Sequence, residues 1–257
     1  MKEKTEPSVL YHYTSLEALF SIISKVETIR TGETPSEGER HIKLWASHCD
    51  FLNDSTEGTL LPNVLKRFKK FKDLDIYALA SMSGYPLIIS FSELEDDLNM
   101  WRSYANDGRG VAIGFNFKKL NEIKEVDCDR RPLCKCEYTT GNSLWEQYKN
   151  RDFPEVYENL SPLSKELNNM MKYKDSHFAS EKEWRFVACD IPNKFRMSKN
   201  LIIPYKEISM PLDIIDSITL GPQCDLERNR FSIGRLIPSG CDIDHKIKIS
   251  KSEVPYV

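Results

Sequence analysis

The chain has 257 residues, 40% hydrophobic and 29% charged, with 36 basic and 39 acidic side chains and a formal net charge of -3. That balance suits a globular fold able to bury a sizeable core. It argues against a protein that coats nucleic acid by bulk positive charge, although a local basic groove stays open. The opening MKEKTEPSVLYHY carries charges but no apolar core, so no secretory leader is expected. No run approaches the roughly 18 apolar residues of a membrane span. A cytoplasmic protein without membrane contact is therefore expected, as one domain over residues 1–257, since no linker or repeat interrupts the sequence.

Seven cysteines invite a metal or disulfide reading. Their odd count and irregular spacing fit reduced thiols better. The densest group, Cys128, Cys134 and Cys136, has CxC spacing rather than the paired CxxC of zinc sites, so no metal is expected. Cys49, Cys189, Cys224 and Cys241 stand alone.

In chain order, residues 9–13 alternate as a strand and run into a helix start, where Thr14 and Glu17 have the spacing of a capping box. Leu16, Leu19, Phe20, Ile23 and Val26 follow at helical spacing. Residues 31–40 read as a mobile surface loop and residues 42–47 as a strand. Asn53-Asp54-Ser55 can cap a helix over 57–72, with Leu61, Val64, Leu65 and Phe68 inward and Lys66, Arg67, Lys69, Lys70 and Lys72 on a solvated face or, as the sharper alternative, a nucleic-acid patch. Residues 87–92 read as a central strand, 96–105 as a helix and Asn106-Asp107-Gly108 as a turn. A strand over 110–117, an irregular hairpin over 125–138 and a largely helical stretch over 142–174 follow. The sequence then predicts strands at 183–189, 201–204, 217–221 and 246–250, and a helix at 225–237. Short strands with interspersed helices and no βαβ regularity give an α+β fold. Neither a Walker A loop nor GxGxxG is present.

Four segments can carry chemistry. His12 lies one step before a helix N-terminus, a place that favours anionic or polar ligands, although a hydrogen-bonded histidine at a strand end is the simpler reading. Glu181, Glu183 and Arg185 share one face if a strand begins there, with Trp184 and Phe186 on the other. The alternatives are a solvated Glu–Arg edge and a cleft carboxylate held by arginine. Ser90 and Ser92 put two hydroxyls on one strand face, and Trp101 and Tyr104 follow as core or as an aromatic wall. Residues 51–57 are most simply a helix-capping loop.

In this order, Leu10-Tyr11-His12-Tyr13, Phe51-x-Asn53-Asp54 with Glu57, Phe91-Ser92, Met100-Trp101, Tyr104-Ala105, Gly110-Val111, Glu181-x-Glu183-Trp184-Arg185 and Leu220-Gly221-Pro222 resemble the bacterial family known as domain of unknown function 2971. The set also resembles the layout of the ADP-ribosyltransferase superfamily, whose members cleave NAD+ at the nicotinamide–ribose bond and pass ADP-ribose to an acceptor. That resemblance implies a split pair of small mixed sheets around a central cleft with flanking helices. It implies NAD+ as substrate, no metal, and a protein or nucleic acid as acceptor. It casts Glu183 as the catalytic glutamate and Glu181 as the first carboxylate of the pair. His12 would hydrogen-bond a ribose, Tyr13 or Tyr104 would stack on nicotinamide, and Ser90 and Ser92 would support the cleft. Thr14 and Arg109, both placed in the NAD+ site, stand where many members have a basic residue and a histidine; Arg109 is cast on a phosphate, or its turn is structural only, and Arg185 on the strand face or a phosphate. A carboxylate beside the ribose would stabilise the oxocarbenium-like state. Hydrolysis of NAD+, non-catalytic ligand binding and a role in bacterial defence are the companion expectations.

Overall fold

A computed structural model describes residues 6–24, 27–30, 38–52, 54, 58–73, 85–123, 133–151, 170–198, 200–237 and 247–256. The strands are β1 (Val9–Thr14), β2 (Glu27–Arg30), β3 (Gly38–His48), β4 (Tyr85–Ser92), β5 (Val111–Asn116), β6 (Leu133–Lys135), β7 (Glu137–Thr139), β8 (Tyr173–Asp175), β9 (Glu183–Asp190), β10 (Lys194–Ser198), β11 (Leu201–Pro211), β12 (Ile215–Leu220) and β13 (Lys248–Lys251). The helices are α1 (Leu16–Ser24), α2 (Leu60–Leu65), α3 (Leu98–Tyr104), α4 (Phe117–Glu122), α5 (Gly141–Tyr148) and α6 (Leu226–Leu236). The fold is mixed α+β, as expected. The strands divide unequally, however: among the described residues eleven belong to one mixed sheet and β7 and β8 to a second, rather than to two small sheets. Among the described residues no helix is long and apolar enough to cross a membrane.

The chain forms two compact units, both discontinuous in sequence. The first takes Met1–Leu44, Ser90–Arg131 and Ile208–Val257; the second takes Trp45–Ile89 and Pro132–Glu207. In the first unit, β5 is the central strand. It pairs antiparallel with β1 from Val9↔Asn116 to Thr14↔Val111, and with β12 on its other side. Residues Val111–Phe115 are buried on both faces, which explains why they are apolar throughout rather than alternating. β13 extends the arrangement parallel to β12. α3 starts on Asp97, whose carboxylate accepts from the amides of Asn99 and Met100. Its Met100 and Trp101 pack with Tyr13, Ala105 and Ala112, and Val254 lies against them. Asn106, Asp107 and Gly108 follow with positive φ, confirming the turn.

Two glycines let backbone meet backbone here. A Cβ at Gly110 would collide with the Thr14 carbonyl oxygen and stand 2.8 Å from that of Ala105. One at Gly221 would collide with the Gly108 carbonyl oxygen. The Gly221 amide donates to the Gly110 carbonyl (2.9 Å), so the two close approaches form one linked turn.

In the second unit, α2, α5, β8 and the 3-10 turn Met170–Lys172 bury Leu61, Val64, Leu65, Leu144, Tyr148, Met171 and Tyr173 in one core. β6 pairs antiparallel with β9, from Leu133↔Phe186 to Lys135↔Trp184, and β7 pairs parallel with β8. β10 and β11 form a hairpin, Lys194↔Tyr205 to Ser198↔Leu201.

Several local expectations are corrected. α1 is capped by Ser15, not Thr14: the Ala18 amide donates to the Ser15 Oγ (3.2 Å), and Thr14 remains in β1 opposite Val111. Phe20 points outward and Ile22 takes its place inside. The helix expected over 57–72 is only α2, because the basic run beyond Leu65 lacks an apolar stripe to dock it; a short 3-10 turn, Lys69–Phe71, buries Phe71 alone. β6 and β7 are not a hairpin with each other but pair with different strands. Residues 173–175, expected to be helical, form β8. Gly38–Arg40, expected in a loop, begin β3. Val26, Asn53, Glu57, Cys128 and Cys241 lie outside the described residues.

Candidate functional site

The carboxylates singled out above belong to the second unit. Lys182 adopts a left-handed conformation (φ 46°), so the strand starts only at Glu183, and Glu181 ends a 3-10 turn. Alternation along a strand therefore does not bring Glu181 to Glu183, as was expected. Lys174 of β8 does: its Nζ donates to Glu181 Oε2 (2.6 Å) and to Glu183 Oε2 (2.7 Å). Arg185 completes the cluster from the same strand. Its Nε donates to Glu183 Oε1 (3.0 Å), its Nη2 to Glu183 Oε2 (3.0 Å) and its Nη1 to the Met171 carbonyl (2.6 Å). The Tyr138 hydroxyl accepts from the Glu183 amide (2.7 Å).

Two cations and two anions thus cancel within one buried group. Burial alone would raise the Glu183 carboxyl, but Arg185 and Lys174 outweigh it and hold it down at about 2. Burial likewise opposes the Lys174 charge, and the two carboxylates more than restore it, so the ammonium is raised above its usual range. The two carboxylates differ in access: the Glu183 side chain is 5% exposed and the Glu181 side chain 14%. Glu183, taken up on both oxygens, is the anchor of the cluster, and Glu181 is its outward member. Trp184, expected in the core, is half-buried beneath Lys135, whereas Phe186 is fully buried.

Lys174 was missed by sequence reading. A single lysine between Tyr173 and Asp175 looks like a solvated residue. The signal that could have found it is the demand of two nearby buried carboxylates for more than one cation.

The other candidates lie in the first unit. His12 donates from Nδ1 to the Ser90 carbonyl (2.8 Å). A carbonyl only accepts, so Nδ1 carries a proton. Tyr13 is buried edge-on against Trp101 (ring centroids 4.9 Å apart). Its hydroxyl donates to the Leu94 carbonyl (3.0 Å) and accepts from the Asp97 amide (3.3 Å). Of the two tyrosines proposed to stack on a ligand, Tyr13 is buried and Tyr104 half-buried. Ser92 is buried and accepts from the Leu94 amide (3.0 Å), fixing the turn after β4, whereas Ser90 is half-buried. Thr14 is half-buried at the end of β1, and Arg109 is exposed on the turn after α3. This unit therefore brings His12 and Ser90 into contact, and sets Tyr13 and Ser92 to structural work around the loop between β4 and α3.

Cys134, inside β6, and Cys136, the residue that joins β6 to β7, are free thiols. Burial pushes the Cys134 thiol up to about 11 and raises Cys136 as well. Both should resist iodoacetamide in the folded protein at pH 8 and react once it is unfolded, as read by intact-mass spectrometry; rapid labelling of either without unfolding would contradict this burial. Among the described residues, one trio of potential metal ligands stands together: His48, Cys49 and Asp50, with ligand atoms within 4.8 Å. They already serve one another, since the Asp50 amide donates to His48 Nδ1 (3.3 Å) and the Cys49 thiol to Asp50 Oδ1 (3.5 Å).

A family described as "Protein of unknown function (DUF2971)" has a model that matches residues 100–186, about a third of the chain. The stretch includes Trp101, Tyr104, Gly110 and the Glu181–Arg185 segment, while His12, Ser90 and Gly221 lie outside it. Comparison with curated proteins and with solved structures gives no match.

Proposed function

We propose that the protein cleaves NAD+ between nicotinamide and ribose and transfers ADP-ribose to an acceptor macromolecule, as in the ADP-ribosyltransferase superfamily. The observation that carries the reading is the pair of carboxylates that Lys174 gathers side by side, one anchored and one facing outward. In the reaction the C1′–N bond breaks and its electron pair leaves with nicotinamide, cancelling the pyridinium charge. The ribose passes through an oxocarbenium-like state that a nearby carboxylate stabilises. A nucleophile of the acceptor then bonds to C1′ and loses its proton to Glu181 and on to solvent. Glu183 stays ionised over the whole physiological range and holds the arrangement through Lys174 and Arg185. Water as the acceptor gives the hydrolytic form of the same reaction, and either form would serve a bacterial defence effector.

Incubation with NAD+ and cell extract tests this directly. Wild-type protein should release nicotinamide, and Glu181→Gln should slow that release on the order of 100-fold or more while its circular dichroism is unchanged. A mass increment on protein or nucleic acid signifies transfer, and free ADP-ribose alone signifies hydrolysis. Undiminished release by Glu181→Gln would sink the assignment. A second reading, a non-catalytic ligand-binding protein, is favoured by the full engagement of both Glu183 oxygens. It requires that wild type release no nicotinamide while NAD+ still raises its melting temperature.

A further inference from the structure

Where β3 ends, three consecutive residues carry three different kinds of metal donor: the imidazole of His48, the thiol of Cys49 and the carboxylate of Asp50. Along a strand, neighbouring side chains point to opposite faces. Here the strand stops at His48 and a 3-10 turn, Cys49–Phe51, begins, and the three ligand atoms come within 4.8 Å of one another. The turn is held from several sides. His48 is paired with Leu87 of β4, and its ring stands edge-on to Phe51 (ring centroids 5.8 Å apart). The Leu52 amide donates to the Cys49 carbonyl (3.2 Å) and closes the turn. His48 Nδ1 accepts from the Asp50 amide, so Nδ1 is the nitrogen without a proton and its lone pair faces Asp50. Burial also lowers the His48 ring below its ordinary value, which leaves it neutral at pH 7.

We propose that His48, Cys49 and Asp50 bind a divalent ion of the zinc class, with water in the fourth position. The spacing suits a tetrahedron. His48 Nδ1 stands 3.8 Å from Asp50 Oδ2, and Cys49 Sγ stands 3.5 Å from Asp50 Oδ1. Around zinc, bonds of about 2.0–2.3 Å set ligand-to-ligand edges of about 3.3–3.6 Å. Small side-chain shifts close the difference, and the Asp50 side chain, 69% exposed, has room to make them. The same opening is the entry path. The His48 side chain, 12% exposed, and the buried Cys49 lie beneath it. Thiolate and imidazole select zinc-like ions over magnesium and calcium, which take oxygen. On binding, the Cys49 S–H bond breaks, its electron pair goes to the metal and its proton leaves to solvent. The imidazole exchanges its bond from the Asp50 amide for the metal. One proton is therefore released per ion.

Cobalt(II), which takes zinc sites and reports them by colour, tests the proposal on the reduced full chain. Wild type should bind one Co2+ with a thiolate charge-transfer band and the strong visible bands of four-coordination, and Zn2+ at micromolar concentration should bleach both. Calorimetry in two buffers of different ionisation heat should count one proton released per Zn2+. Cys49→Ser and His48→Asn should each weaken binding about 100-fold or more, beyond what an outer-shell change costs. Asparagine keeps a side-chain acceptor for the turn, so its circular dichroism should be unchanged. Asp50→Ala, at an exposed position, should weaken binding without touching the core. Cys134→Ser should bind as wild type does, and so should Glu181→Gln, since the site is independent of the NAD+ reading. A wild type with no four-coordinate cobalt spectrum at hundreds of micromolar metal overturns the proposal, as does a spectrum that survives in both Cys49→Ser and His48→Asn.

Discussion

Glutamine in place of Glu183 is expected to cost about 3–5 kcal/mol of unfolding free energy, because it leaves Lys174 and Arg185 buried without their shared counter-charge. Urea denaturation reads the loss. Glu181→Gln, which removes a carboxylate bonded to Lys174 from a more open position, should cost far less. Adding Lys174→Met to Glu183→Gln should recover part of the loss by removing one stranded cation, and the double-mutant cycle gives the coupling. The pH dependence has a fixed sign. Glu183 is lowered on folding from about 4.5 to about 2, so its contribution is complete above the ordinary carboxylate value. It fades as pH falls from about 4.5 toward 2, by about 3 kcal/mol in all. The wild type should lose that stability in the acid window and the glutamine variant should not. Equal stability of the two proteins at pH 7 would mean the cluster contributes nothing. The same reasoning changes how activity is read: loss of NAD+ cleavage in Glu183→Gln would report unfolding as readily as chemistry, which is why Glu181 is the informative site.

Gly110→Ala should be of similar severity, about 3 kcal/mol or more, for a steric reason. The obstructing atoms are main-chain carbonyls on both sides, Thr14 in β1 and Ala105 just after α3, and neither can rotate away as a side chain would. Moving Thr14 would break its pairing with Val111, and moving Ala105 would disturb the Gly110 amide's own bond to that carbonyl (2.8 Å). Gly234→Ala makes the contrast. Nothing lies within 4 Å of a Cβ there, and the position is inside α6, so alanine should stabilise by about 0.5–1 kcal/mol. Thermal melts of the two variants should shift in opposite directions, and a neutral Gly110→Ala would show that the turn yields.

Legibility in the sequence followed the kind of force involved. α6 could be read almost to the residue, because Asp225 caps it and the cap is a local bond to the Arg228 amide (3.0 Å). β1, β4, β5 and β9 were visible as apolar or alternating runs, since burial leaves its mark on every residue of a strand. β8 and β10 were not. β8 has three residues, and its lysine is buried only because carboxylates from a later segment surround it. β10, KFRMS, alternates charge with exposed apolar side chains, a pattern that carries no sign of a core face. The candidate site divided in the same way. Glu181, Glu183 and Arg185 were found together from their spacing, but the two carboxylates are joined by Lys174, seven residues before Glu181, across a left-handed break no pattern announced. Tyr13 and Ser92 had the right residue types for ligand contacts, and only their partners, Leu94 and Asp97, show what their hydroxyls are committed to.

The position of β5 between β1 and β12 has a cost during synthesis. β1 precedes it in the chain, but β12 begins roughly a hundred residues later, which at about 5–20 residues per second is on the order of 5–20 s of translation. For that interval the most apolar strand of the first unit emerges with one edge bare, ready to pair with any other strand nearby. A ribosome that stalls or terminates before residue 215 would release the chain in that condition permanently. Truncated products should therefore aggregate or be degraded rather than persist as soluble fragments, and the nascent protein should depend on holding factors until β12 has left the exit tunnel.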